Sequence, residues 1–138
     1  METIFTKIVN RQIPAHIVYE DDLVIAFLDI TQATKGHTLV VSKAPYKDIF
    51  EIPRDLFKHL FGVVHKLSGA INKSFNPLGI NLLNNNGIEA GQTVFHYHVH
   101  IIPRYDLNEI DIKLKNNSSN LNVEDYKKRA EMIITALL

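Results

Sequence analysis

Three of the seven histidines in this 138-residue chain, His96, His98 and His100, occupy alternate positions of the segment VFHYHVHIIPR. In a strand, alternate residues share a face, so the imidazoles would form a row with about 7 Å between successive Cα atoms. Phe95, Tyr97, Val99 and Ile101 would face the other way, towards a core. A strand with an apolar side and a row of ring nitrogens is suited to be the floor of a site. Two chemistries use such a row. Imidazoles two residues apart can chelate one divalent ion, with a carboxylate or a third histidine completing the site. Alternatively, one imidazole acts as nucleophile or proton carrier near neutral pH while its neighbours orient it and hold a phosphate. Gly91, Gln92 and Thr93 just before the strand favour the second. Such a segment offers backbone N–H groups, an amide and a hydroxyl to an anion, and a glycine lets the ligand approach closely.

The elements that must position this row follow from periodicity. Ile4, Phe5, Ile8 and Val9 have helical spacing, and Pro14 ends that turn. Strands are expected over Ile17 to Glu20 and Leu23 to Ile30, joined at Asp21-Asp22; the second (LVIAFLDI) is apolar except for Asp29 and so buried on both faces. Gly36 to Ser42 reads as a third strand. Pro53 opens the longest helical pattern, with Leu56, Leu60, Val63, Val64, Leu67, Ile71 and Phe75 on one stripe. Gly79 to Leu83 is a fourth strand, Asn84 to Gly87 a turn, and Val94 to Pro103 a fifth strand. Lys115 to Asn122 (KNNSSNLN) is a polar loop. After it Tyr126, Ala130, Ile133, Ile134 and Leu137 form the stripe of a C-terminal helix capped by Asn122. The order predicts an α+β domain, an antiparallel sheet of about five strands covered by helices.

Length and composition set bounds. One domain is expected over residues 1–138, with a core over about 3–105 and a loop and helix over 106–138. Fifteen basic residues balance fifteen acidic ones, so bulk charge implies no nucleic-acid surface, and any phosphate site must be local. The absence of cysteine excludes disulfides, thiolate ligands and a cysteine nucleophile, and fits a reducing compartment. No run has the length of a signal peptide core or a membrane span, so a cytoplasmic protein without a membrane partner is expected.

Residues 86–104, NGIEAGQTVFHYHVHIIPR, resemble the signature of the histidine triad (HIT) superfamily, in which histidines alternate with apolar residues. The resemblance extends through IPAHIVYEDDLVIAFLDI, residues 13–30, and KGHTLVVSK, residues 35–43. These segments are similar to the bacterial Hint branch of homodimeric nucleotide-binding hydrolases. The resemblance implies an α+β HIT fold and a purine (AMP- or GMP-like) substrate, a nucleoside 5′-phosphoramidate or related α-phosphate ester. It implies His98 as the nucleophile on the α-phosphorus, through a nucleotidyl-histidine intermediate, with an acceptor holding the proton of its other nitrogen. His100 would contact the phosphate, His37 and His96 would support the site, Thr93 would lie near the leaving group and Gln92 beside the phosphate. Asp29 would bind the ribose hydroxyls, Asn85 would supply an amide, and Phe5, Ile8, Phe27 and Ile30 would enclose the base. Each has a plainer alternative: Asp29 a strand-end carboxylate, Asn85 a turn residue, the four apolar residues core packing. His16, His59 and His65 read as structural or surface residues, and Lys127-Lys128-Arg129 as a solvated helix face.

Many bacterial relatives carry a Cys-x-x-Cys pair and a histidine that, with the first histidine of the triad, hold a structural zinc. Here Thr3, Thr6 and Pro45 stand at those positions. Hydroxyls are poor zinc ligands, so no cofactor and no metal is expected, with packing around Phe5 and Tyr46 in its place and His96 free of a metal role. The row could still capture adventitious zinc, which would inhibit by occupying the lone pair of His98. Rival readings are a dinucleoside polyphosphate hydrolase like the Fhit branch, a divalent-metal protein using the histidine row, and a nucleotide-binding regulator.

Overall fold

The computed structural model describes residues 2–138. The chain runs α1 (Ile4–Val9), β1 (Ile17–Glu20), β2 (Val24–Leu28), β3 (Thr38–Ser42), α2 (Arg54–Phe75), β4 (Gly79–Leu83), β5 (His98–Arg104) and α3 (Val123–Leu137), with short 3₁₀ turns in the later connections. Six residues are too few for a stable helix on propensity alone, and α1 is held by its cap. The Thr3 hydroxyl accepts from the N–H groups of Phe5 and Thr6, and the Thr6 hydroxyl accepts from Thr3 N–H.

The strands form one antiparallel sheet in the order β1-β2-β3-β5-β4. Helix α2 carries the chain from β3 to the far edge, so the later strand β5 slots between β3 and β4. His98 lies opposite Val41, and His100 opposite Leu39 on one side and Leu83 on the other. The two sheet faces bury different partners. Leu60, Val63, Val64, Leu67 and Ile71 of α2 pack on Val24, Ala26, Val40, Tyr97, Val99 and Ile101. On the opposite face Phe5 and Ile8 of α1 pack on Ile25, Phe27, Leu39 and Val41. Each such side chain withdrawn from water contributes about 1.5–3 kcal/mol. Strands β2 and β3 are thus covered on both sides, as the apolar run of β2 requires.

Three expectations change. Strand β5 begins at His98 rather than Val94, because β3 ends at Ser42, whose N–H makes the last bond to the Tyr97 carbonyl, and the Tyr97 N–H donates to the Tyr46 carbonyl instead. Phe95 consequently stays out of the core and sits half-buried in a surface depression with Lys47 and Ile88. Helix α3 forms with its expected cap, the Asn122 side chain accepting from Asp125 N–H, but it covers no part of the sheet and buries no residue. Its stripe of Tyr126, Ile133, Ile134 and Leu137 is exposed. Among the described residues no helix is long and apolar enough to cross a membrane.

The β2–β3 loop must turn tightly to return the chain at Gly36, whose φ is +95°. A Cβ there would lie 2.8 Å from the Phe75 ring and 3.3 Å from Pro103. Gly36→Ala is expected to lower unfolding free energy by at least about 1–2 kcal/mol, the cost of a left-handed backbone at a non-glycine residue. Urea denaturation measures it, and unchanged stability would show that the loop relaxes.

Candidate active site

A cavity of about 570 Å³ opens between α1 and the sheet face that carries His98 and His100. Its floor is β5, its far wall the end of β2 with Asp29 and Ile30, and its roof Phe5 and Ile8 of α1 with the segment Ile13 to His16. Alternation along β5 is the local reason both imidazoles reach it.

Hydrogen-bond partners assign the proton on each ring. His98 Nδ1 lies 2.7 Å from the main-chain carbonyl of His96, which only accepts, so Nδ1 carries the hydrogen and Nε2 keeps its lone pair. A second chain runs the other way. Ala33 N–H donates to His37 Nδ1 at 3.3 Å, which leaves the hydrogen of His37 on Nε2, from where it donates to His100 Nδ1 at 2.9 Å. The hydrogen of His100 is therefore on Nε2. Two imidazoles with ring centroids 5.1 Å apart thus present opposite functions, a lone pair from His98 and an N–H from His100. The Phe5 and His98 rings pack edge to face, with centroids 5.0 Å apart.

Burial disfavours the charged imidazolium at His98, lowering its pKa, partly opposed by the His96 carbonyl and Asp29. At His100 burial, reinforced by the neighbouring His98 and His37, pushes the pKa down to about 4. Both rings are neutral at physiological pH. Asp29 stays ionised: burial works against its charge, but the N–H and hydroxyl of Thr31, at 2.9 and 2.7 Å from Oδ1, outweigh it. Oδ1 is thus committed to a local turn, whereas Oδ2 is 3.6 Å from His37 Nε2. The strand-end reading of Asp29 accounts for Oδ1 alone.

The structure brings most of the expected residues to the cavity. Thr93 and Asn85 lie on its rim, Asn85 making only a long 3.4 Å bond to the Gly91 carbonyl. Phe5, Ile8 and Phe27 serve both as core and as cavity wall. Ile30 lines the cavity while 85% exposed, so core packing does not explain it. Gln92 departs from expectation. It is buried away from the cavity, its amide donating to the carbonyls of Lys47 and Val94 and accepting from Gly87 N–H, so it braces the loop instead of facing a phosphate. His16, read as structural or surface, lines the cavity. His59 pairs with Asp21 on the other side of the sheet, and His65 is exposed.

Two residues carry positioning roles that the sequence did not signal. Gln32 closes the loop between β2 and β3, its amide donating to the carbonyls of Asp29 and His37 and accepting from Gly36 N–H. Asn84 donates to the His98 carbonyl at 2.8 Å and accepts from the Tyr97 hydroxyl at 2.8 Å. Inside a run of asparagines ending in glycine, nothing distinguishes such a clamp from a turn.

His96 does not reach the cavity. Fully buried, it donates from Nε2 to the Ser42 carbonyl at 2.6 Å and accepts at Nδ1 from the Thr3 hydroxyl at 2.7 Å. Thr3 therefore links the α1 cap to the residue whose carbonyl orients His98. The Thr3, Thr6 and His96 donors do not fit zinc: two are neutral hydroxyls, and both imidazole nitrogens are engaged. For the same reason the three imidazoles of the row have no common ligand point.

Comparison with known proteins gives concordant results. The family model described as HIT domain matches residues 10–107. A Bacillus subtilis protein named "Protein hit" is 55% identical over 102 residues, 74% of this chain and 70% of that protein. The crystal structure of a HIT family protein from Bacillus anthracis superposes with a TM-score of 0.91 at 48% identity, covering 96% of this chain and 95% of the other. An Arabidopsis thaliana protein named adenylylsulfatase HINT3 is 38% identical over 103 residues, 75% of this chain and 52% of its own length.

The buried imidazoles make folding stability pH-dependent. His37, His96, His98 and His100 all titrate below the ordinary 6.5 in the folded chain, chiefly through burial. Below about pH 6.5 the unfolded chain therefore binds more protons, and stability falls with acidification; above about pH 7.5 these groups contribute no slope. Melting temperature followed by circular dichroism is expected to be flat above that pH and to drop steadily from pH 6.5 to 5. A flat profile to pH 5 would contradict the burial of these rings.

Proposed function

Because the chain belongs to the histidine triad (HIT) family, we propose that it is a nucleotide hydrolase cleaving purine nucleoside 5′-phosphoramidates and related α-phosphate esters, without a metal, in the cytoplasm. The observation that carries this reading is the pair of oppositely protonated imidazoles, His98 with a free lone pair and His100 with an N–H, on the floor of one cavity. A neutral imidazole is nucleophilic at once, with no base required to remove a proton. His98 Nε2 forms a bond to the α-phosphorus as the P–N bond to the amine breaks, and the departing nitrogen takes a proton from solvent, which the water of the second step returns when it adds to phosphorus. The charge developing on the phosphoryl oxygens is met by His100 Nε2–H and by the Thr93 hydroxyl on the rim, and the His96 carbonyl stabilises the positive charge on His98. Water then adds to phosphorus, the N–P bond breaks, and the nucleoside monophosphate is released with His98 neutral again.

The remaining walls suit a nucleotide. Asp29 Oδ2 accepts from ribose hydroxyls, and the flat apolar surfaces of Phe5, Ile8, Phe27 and Ile30 accept a base. Gln92 acts through the loop it braces and His96 through its carbonyl. The Arabidopsis relative named an adenylylsulfatase is in keeping with an adenylyl group as the part retained.

The proposed assembly is a homodimer. Strand β4 is an unpaired sheet edge carrying exposed Leu82, and α3 presents an apolar stripe with Ile133 66% and Leu137 79% exposed. A bare edge and a lone amphipathic helix are both marginal in water, and a two-fold copy can cover them together. Sedimentation equilibrium at micromolar concentration is expected to give twice the 15.7 kDa chain mass; a monomer would overturn the assembly.

The enzymatic reading is tested by mixing the protein briefly with adenosine 5′-phosphoramidate, with diadenosine tetraphosphate in parallel, and mapping any adenylyl adduct by mass spectrometry. The adduct is expected on His98. His98→Ala should lower turnover by on the order of 10³-fold or more while AMP still binds, since the groups proposed to hold ribose and base remain. Turnover above a few per cent of the unaltered protein, or an adduct elsewhere, would overturn the assignment. Faster cleavage of the dinucleotide would move the substrate to that class.

A further inference from the structure

Asp29, His37 and His100 each offer one ligand atom, and these atoms lie within 4.8 Å of one another. They come from the end of β2, the start of β3 and the middle of β5, so the sheet itself brings them together. His37 Nε2 is 2.9 Å from His100 Nδ1 and 3.6 Å from Asp29 Oδ2. An ion about 2.0–2.1 Å from each of three tetrahedral ligands holds those atoms about 3.3–3.5 Å apart. The Asp29–His37 distance is close to that, the carboxylate and His100 lie within 4.8 Å, and the two imidazoles need to part by about 0.5 Å.

Preorganisation supports the site. Thr31 fixes Asp29 by Oδ1, which leaves Oδ2 as the free oxygen beside His37, and Gln32 ties the carbonyls of Asp29 and His37 into one loop. Thr31 holds Asp29 and Ala33 N–H holds His37, which in turn holds His100, and two imidazoles with one carboxylate are a donor set of intermediate softness. We propose that Asp29, His37 and His100 form a binding site for a borderline divalent cation, Zn²⁺ or Co²⁺, with further positions open to the cavity. Binding moves the His37 proton from Nε2 to Nδ1, breaking the long 3.3 Å bond from Ala33. His100 coordinates through Nδ1 and keeps its hydrogen on Nε2, so no proton is released. The site differs from the histidine row: His96 has both nitrogens engaged and His98 Nε2 is not a ligand. The ion would take the oxygen proposed for ribose and break the His37–His100 bond, so it would oppose nucleotide binding.

The test uses the full chain with Zn²⁺ alone, without nucleotide, so that its failure is separate from failure of the hydrolase reading. Competition against a chromophoric chelator is expected to show one ion per chain, with a dissociation constant tighter than on the order of 100 μM. Asp29→Asn and His37→Asn should each weaken it by at least about tenfold, while His98→Asn leaves it unchanged. Titration of the unaltered protein with Co²⁺ provides a readout independent of variant folding: ligand-field absorption should appear at one equivalent, with paramagnetic shifts largest on His37 and His100. No binding in that range overturns the proposal. So does retention of affinity in Asp29→Asn, or a loss in His98→Asn equal to that in His37→Asn.

Discussion

The arrangement of the site depends on one hydrogen bond, from His98 Nδ1–H to the main-chain carbonyl of His96. An imidazole has one proton and two nitrogens, and a carbonyl at one nitrogen leaves the other as a lone pair. That carbonyl is available because residues 94–97 stay out of the regular ladder. It is held in place because the His96 side chain is pinned on both nitrogens, by Ser42 and by Thr3. The cap of a six-residue helix, a buried histidine and the tautomer of a neighbouring imidazole are thus links in one chain of contacts.

The same logic, reversed, governs His100. A backbone N–H at the far end of the Ala33–His37–His100 chain dictates that the last ring exposes a donor. Neighbouring histidines of identical type acquire opposite functions because one chain starts from an acceptor and the other from a donor. Burial keeps both neutral and so preserves the difference at physiological pH. The aspartate beside them stays charged because Thr31 compensates for its burial, which leaves one anionic oxygen next to two neutral rings.

The sheet makes this arrangement possible by separating its faces. Packing of α2 on the Tyr97, Val99 and Ile101 side supplies the main apolar burial. The other face can then give up area to a cavity, roofed only by α1 and the segment after it. Phe5 and Phe27 serve both sides of that compromise, since the surfaces that close the smaller core also wall the cavity.

From the sequence alone one can read what depends on local periodicity and residue chemistry. The five strands, the long helix and its stripe, the cap at Asn122 and the alternation that puts His98 and His100 on one face are all of this kind. So is the lack of thiolates around Thr3 and Thr6. The tertiary structure decided what depends on contacts between residues distant in sequence. A strand ends where its partner ends, so β5 starts at His98 because β3 stops at Ser42 and the Tyr97 N–H goes to the Tyr46 carbonyl. Gln92, Gln32 and Asn84 have ordinary side chains, and only the folded loops show which one faces a cavity and which braces a backbone. The proton on each imidazole is set by Ala33, His37 and the His96 carbonyl, which the sequence does not pair. The Asp29–His37–His100 cluster joins residues up to 71 positions apart, beyond the reach of any spacing pattern.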